Sequence, residues 1–227
     1  MTMPEKKVEQ PYDPIPAAGW YNQLSRTAME AMGTKDPKEA CTFLKTGVYK
    51  IVKKQRAWEQ KFPGQITFTL KSEGTLGPDW KARLEEKNKN FKFSPDALSI
   101  LYSREFHPTK DQEFEVIILH SLDHKWTTQD VMQKAKGIGL ITPLPELACL
   151  IADKFSNQEI LREMGLNSVH VMHLPITINP QSPGMTLSIE NDGHTAGMDV
   201  ELSEADITYG TKDGFAFLVR QPTLIKP

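Results

Sequence analysis

The sequence predicts an α+β fold, a helical N-terminal part followed by a mostly antiparallel sheet packed against about three helices. Three observations point there. A strong helix start at Asp36-Pro37-Lys38-Glu39 opens the first half, helices with start signals follow an apolar strand in the second, and after Gly165 the apolar residues recur with a period of two. A strand, a block of helices and then a run of strands favours α+β over the alternation that builds a parallel sheet.

Residues 1–19 carry Pro4, Pro11, Pro14 and Pro16 among charges and read as an extended tail. A short helix follows over Tyr21 to Met32, stopped by Gly33. Asp36 then caps, Pro37 takes the first helical position and Glu39 completes a capping box. Ala40, Phe43, Leu44, Val48, Ile51, Trp58 and Phe62 form the apolar stripe of a long helix that Pro63-Gly64 ends. Ile66 to Leu70 alternates as a strand does, and a Gly-containing turn runs from Glu73 to Pro78. The charged stretch from Asp79 to Phe93 has no clear period, while Ser94-Pro95-Asp96 starts a helix over Ala97 to Tyr102.

The polar stretch from His107 to Gln112 separates a mainly helical part, residues 20–106, from an α+β domain at 113–222. Phe114 and Val116 to Leu119 suit a central strand. Thr127 with Asp130, Pro143 or Pro145 ahead of Glu146 to Phe155, and Ser156 with Glu159 mark three helix starts, with Gly137, Gly139 and Gly165 as stops. Val169 to Leu174, Met185 to Ile189, Met198 to Leu202 and Phe215 to Val219 read as a meander, with a turn at Asn191-Asp192-Gly193. No repeat or low-complexity tract appears.

Of the 227 residues 39% are hydrophobic and 25% charged, enough apolar material for a core and unlike a chain that stays disordered. Lys and Arg number 27 against 29 Asp and Glu, a formal net charge of −2 that excludes the overall basicity of a nucleic-acid coat or polybasic membrane protein. Cys41 and Cys149 are too few for a disulfide framework and sit among small and apolar neighbours, as buried thiols in a reducing compartment do. The first residues lack the apolar stretch of a signal peptide, and no run approaches the roughly 18 apolar residues of a membrane span. A cytoplasmic protein with no membrane partner is expected.

The catalytic signatures with fixed spacing are missing: no phosphate-binding glycine loop ending in Lys-Ser/Thr, no Gly-x-Ser-x-Gly elbow, no His-Glu-x-x-His helix, no paired Cys-x-x-Cys. Gly137-Ile138-Gly139 follows a helix instead of a strand and so reads as a helix end. Histidine is the suggestive residue type. His120, Asp123 and His124 close the apolar strand and His170 lies in another, offering the imidazole and carboxylate groups of a divalent-metal or acid–base site. Residues three apart on a strand face opposite ways, so His170 and His173 do not share an ion, whereas His120 meets His170 if their strands are neighbours.

Charge is uneven. Residues 35–61 have a local net charge of +5, and Lys50, Lys53, Lys54 and Arg56 beside Tyr49 and Trp58 are a candidate surface for phosphates. Residues 186–206 hold six acidic residues and no Lys or Arg. The two stretches also suit mutual contact, within the molecule or across a dimer.

Ile138-Gly139-Leu140, Leu144-Pro145-Glu146-Leu147, Val171-Met172-His173-Leu174-Pro175-Ile176 and Gly214-Phe215-Ala216-Phe217-Leu218 occur in that order from about residue 113 onward. In this they resemble a group of uncharacterised small bacterial proteins, over roughly half of the chain. Where that group tends to show a Trp near the last strand, this chain has Tyr209. The resemblance implies a bacterial or phage cytoplasmic origin and carries no catalytic residue, since its motifs are packing and turn residues.

The expectation is a non-enzymatic intracellular module that binds another protein or a second copy of itself. The alternatives are a metal-dependent hydrolase or nuclease using His120, Asp123, His124 and His170, and a nucleic-acid accessory factor using Lys50, Lys53, Lys54 and Arg56.

Overall fold

Thr127 accepts from the backbone N–H of Asp130, and the Asp130 carboxylate returns the bond to Thr127 N, so the capping box written in the sequence starts a helix at its expected place. The computed structural model describes residues 56–181, 183–191, 195–204, 206–221 and 223–224. The expected tail, the helix over 21–32, most of the helix that begins at Asp36 and the 191–193 turn's last two residues lie outside them.

In chain order the elements are β1 (Glu59–Phe62), β2 (Gln65–Glu73), α1 (Gly77–Lys87), β3 (Phe91–Phe93), α2 (Pro95–Leu101), β4 (Lys110–His120), β5 (Trp126–Thr127), α3 (Thr128–Gly137), α4 (Glu146–Lys154), a π-helical turn (Glu159–Glu163), β6 (Ser168–Val171), β7 (Met185–Asn191), β8 (Ala196–Leu202), β9 (Thr208–Tyr209), β10 (Asp213–Leu218) and β11 (Thr223–Leu224). The fold is α+β. Its main sheet runs β1-β2-β4-β10-β6-β7-β8-β3, with β11 also pairing β4, and β5 and β9 form a separate two-stranded ribbon.

Two expectations change. The sheet is mixed instead of mostly antiparallel, because β10 inserts between β4 and β6, antiparallel to the first and parallel to the second, and β3 pairs parallel with β8. The stretch at Glu59 to Phe62 is a strand, not the end of a long helix: Phe62 pairs with Gln65 across a Pro63-Gly64 turn. Gly64 sits at φ 74°, and a Cβ there would lie 2.7 Å from the carbonyl oxygen of His120, so backbone approach as well as turn geometry requires glycine. β2 then pairs along β4 from Gln65↔Leu119 to Glu73↔Lys110, so the chain on both sides of His107–Gln112 belongs to one sheet.

Alternation sorts the sheet into two faces. Ile66, Phe68 and Leu70 of β2, Val116 and Ile118 of β4, Val169 and Val171 of β6, Leu187 and Ile189 of β7 and Met198 of β8 face a core shared with α1, α2 and α4. α4 is buried from Glu146 through Ala152, and each large apolar side chain so covered is worth about 1.5–3 kcal/mol. The opposite face has a smaller core in which Ile117, Leu119, Phe215 and Phe217 are covered by Trp126, Val131, Ala135 and Tyr209, contributed by β5, α3 and β9. β10 is thus covered on both faces, which explains its unbroken apolar run. No helix among the described residues is long and apolar enough to cross a membrane.

Candidate functional site

β7 reads Met185-Thr186-Leu187-Ser188-Ile189-Glu190, so turning Met, Leu and Ile into the main core turns Thr186, Ser188 and Glu190 to the other face. The pairing places their neighbours. His170 of β6 lies opposite Ser188, which lies opposite Asp199 of β8. One row on, Asp213, Ser168, Glu190, Gly197 and Lys92 line up across five strands, and Thr186 faces Glu201. A polar, acidic patch covers this half of the sheet.

Ser168 Oγ donates to Asp213 Oδ1 at 2.8 Å and lies 2.9 Å from His170 Nε2. A hydroxyl has one proton, so the bond to histidine runs the other way: Nε2–H donates to Ser168, and Nδ1 keeps a lone pair. That Nδ1 is buried without a partner. The ring stacks on Phe215 at 5.5 Å and meets Tyr209 at 4.8 Å. Burial lowers the His170 pKa to about 4, with Asp213 opposing the shift.

The carboxyls respond in the opposite sense. Burial raises Glu190, and Asp213, Asp199 and Glu201 add repulsion. Glu201 is raised by burial and then by Asp199 and Asp213, and Tyr209 is raised by burial, with Glu201 and Asp213 adding to it. Ser188 Oγ is near enough to Glu190 to temper its shift, yet it is 1% exposed and has no partner at hydrogen-bond length. Among the described residues none of Glu190, Asp199, Glu201 and Asp213 forms an ion pair with Lys or Arg. Perturbed groups gathered in one place mark a candidate site.

The predicted histidine cluster is only partly assembled. His124 Nδ1 is 2.6 Å from Asp123 Oδ1, and Trp126 Nε1 donates to His124 Nε2 at 2.9 Å, which uses both ring nitrogens in an exposed dyad. His120 ends β4 opposite Gly214, whose missing side chain would point at Ile118 and Leu166 of the main core. His120 therefore projects to that face, half-buried and with its pKa lowered by burial, while His170 projects to the other, with β10 between their strands. The neighbour relation that would have joined them is absent, and among the described residues no group of three His, Cys, Asp or Glu is arranged to hold a metal ion.

His173 is committed to the fold: Nδ1 donates to the Leu174 carbonyl at 2.7 Å and Nε2 accepts from Leu187 N at 2.9 Å. Of the basic candidates, Lys50, Lys53 and Lys54 lie outside the described residues. Arg56 stacks 4.7 Å over Trp58 and reaches Glu163 at 4.0 Å.

Ser168, Ser188, Glu190, Tyr209 and Asp213 were not singled out from sequence as site residues. The alternation at Thr186, Ser188 and Glu190 was visible as a signal; the return of Tyr209 and Asp213 beside His170 is set by the position of β10. No family model, no curated protein and no solved structure matches the chain.

Proposed function

We propose that the chain is a non-enzymatic protein-binding module whose acidic sheet face, formed by Glu190, Asp199 and Glu201, receives a basic partner. The observation that carries this reading is a set of carboxyls, Glu190 and Glu201 half-buried and Asp199 exposed, none of which forms an ion pair with Lys or Arg among the described residues. Repulsion among like charges at part-buried positions costs stability, and a bound cationic surface relieves it. The exposed His124 dyad, with its Nε2 occupied by an indole, supports the non-catalytic half of the proposal.

A photo-crosslinking residue placed at Asp199, with Lys89 on a different part of the surface as control, tests it in cells. A crosslinked segment rich in Lys or Arg, formed at Asp199 alone and lost as salt is raised, is the expected result. Equal crosslinking at both positions, or a neutral segment, overturns the acidic-face reading; turnover in a hydrolase screen that disappears in His124→Ala overturns the non-enzymatic one.

A further inference from the structure

β1 covers β2 only from Gln65 to Thr67, and from there to Glu73 the strand has β4 on one side and no described strand on the other. Two bonds fix which way its backbone faces. On one side of β4 the N–H of His120 donates to Gly64 O, and on the other Glu115 O accepts from Val219 N. The even-numbered residues of β4 therefore bond towards β2, so Phe68 and Leu70 are bonded to Val116 and Phe114, while Thr69 and Lys71 turn their N–H and C=O groups outwards. Lys154 Nζ donates to the Thr69 carbonyl at 2.9 Å from that outer side. Among the described residues no other bond reaches these outward groups, and both residues are exposed.

Two grooves meet at Thr69. One of about 320 Å³ is bounded by α1 and α4, which pack on the core face of β2, and has Leu70, Lys71, Trp80 and Lys154 in its lining. The other, of about 270 Å³, includes Thr67 and Glu115, which face the opposite way. Side chains of a strand laid along Thr69 and Lys71 alternate between faces, and each face has a groove to receive them. The charges in the first groove are unequally matched. Arg83 is spent on Glu73 and Asp153, and Asp153 also meets Lys87. Lys71 stands opposite Glu113 without forming an ion pair, and Lys154 forms none, so two ammonium groups at this edge lack a carboxylate partner among the described residues.

Independently of the acidic face, we infer that the edge of β2 at Thr69 and Lys71 takes up an extended, acidic segment of another protein as an added strand. Outward N–H and C=O groups on a strand edge are matched row by row by another extended backbone. Lys154 uses one lone pair of the Thr69 carbonyl, which leaves the second for the newcomer. Carboxylates on the segment supply what Lys71 and Lys154 lack. A second copy of this chain fits poorly. Antiparallel pairing of β2 with its copy about Lys71 opposes two lysines, and pairing about Leu70 runs Glu73 of the copy into the place opposite Thr67 that Glu59 of β1 already holds.

Amide NMR of the full chain, titrated with a short acetylated and amidated peptide of alternating valine and glutamate, tests this. The amides of Thr69 and Lys71 shift and exchange more slowly as the peptide binds. The same peptide with lysine for glutamate binds about tenfold more weakly, and Lys71→Gln combined with Lys154→Gln, two exposed positions, abolishes that preference. Two further versions of the glutamate peptide, N-methylated on its valines or on its glutamates, differ from each other about tenfold, because only one set of N–H groups faces β2. No shift at Thr69 and Lys71, or equal affinity of the two N-methylated peptides, overturns the added strand. Equal affinity of the glutamate and lysine peptides overturns its acidic character. If the same amides shift when the chain is concentrated by itself, the occupant is a second copy and the proposal falls.

Discussion

Ser168 Oγ donates to Asp213 Oδ1 at 2.8 Å, and this one proton decides the state of the imidazole behind it. Because the hydroxyl has nothing left to donate, His170 is the Nε2–H tautomer, with Nδ1 unprotonated. Nitrogen chemical shifts of labelled imidazole should show protonated Nε2 and bare Nδ1 at pH 7. Ser168→Ala removes the acceptor and strands the Nε2 proton in a buried place, at about 1–3 kcal/mol. A protonated Nδ1 in the native chain would refute the chain of donors.

Acid should destabilise the protein well before its carboxylates are neutralised. Burial lowers both His170 and His173 to about 4 from an unfolded value of 6.5. Between these values the unfolded chain binds protons that the folded one refuses, so the stability these histidines allow is intact above pH 6.5 and falls as pH drops towards 4, by about 1.4 kcal/mol per pH unit for each. Glu190 and Glu201, raised by burial, act with the opposite sign, because their folded forms hold protons longer. Their effect sets in as pH falls through their raised values and offsets part of the loss from the histidines. Melting temperature measured from pH 7 to 4.5 should decline steadily, and a flat profile would contradict buried neutral histidines.

Two glycines make opposite predictions. A Cβ on Gly77, at the start of α1, would stand 1.9 Å from the carbonyl oxygen of Leu101, the last residue of α2. Gly77→Ala must push two helices apart and should cost at least about 2–3 kcal/mol. Gly137 ends α3 with nothing within 4 Å of its Cβ position. There alanine gains helix propensity, and Gly137→Ala should be neutral or stabilise by up to about 1 kcal/mol in denaturant unfolding. Similar midpoints for the two variants would sink the argument.

These contrasts also show what the amino-acid order carries. Thr127 with Asp130, Ser94 before Pro95 and Ser156 with Glu159 were legible because a cap is a bond between near neighbours, and all three form. Even there, Ser156 and Glu159 lead into a π-helical turn instead of an ordinary α-helix. Trp58 and Phe62 are four residues apart, a helical step, but Phe62 in fact pairs with Gln65 across the Pro63-Gly64 turn. The place of β10 was not legible: Gly214 to Leu218 is apolar throughout, which says that both faces are covered and nothing about which strands flank it. His170 was visible as a candidate, whereas its partners Asp213 and Tyr209 arrive only through that insertion.

Buried carboxylate and buried hydroxyl should respond in opposite ways to removal, depending on whether their bonds are made. Glu146 is 1% exposed at the start of α4; Ser72 Oγ approaches one carboxyl oxygen at 2.6 Å, and Thr109 gives the other its N–H at 2.8 Å and its hydroxyl at 2.7 Å. This carboxyl ties β2, the chain before β4 and α4 together. Glu146→Ala leaves the half-buried N–H and hydroxyl of Thr109 without their acceptor, while Ser72 keeps the Thr109 carbonyl, and should cost about 2–4 kcal/mol. Ser188→Ala deletes a hydroxyl that has no partner at hydrogen-bond length, so the chain loses only a desolvated polar group and should be unchanged or more stable by up to about 1 kcal/mol. Urea midpoints for the two variants are the measurement. A Ser188→Ala as damaging as Glu146→Ala would mean that the Ser188 hydroxyl is already satisfied.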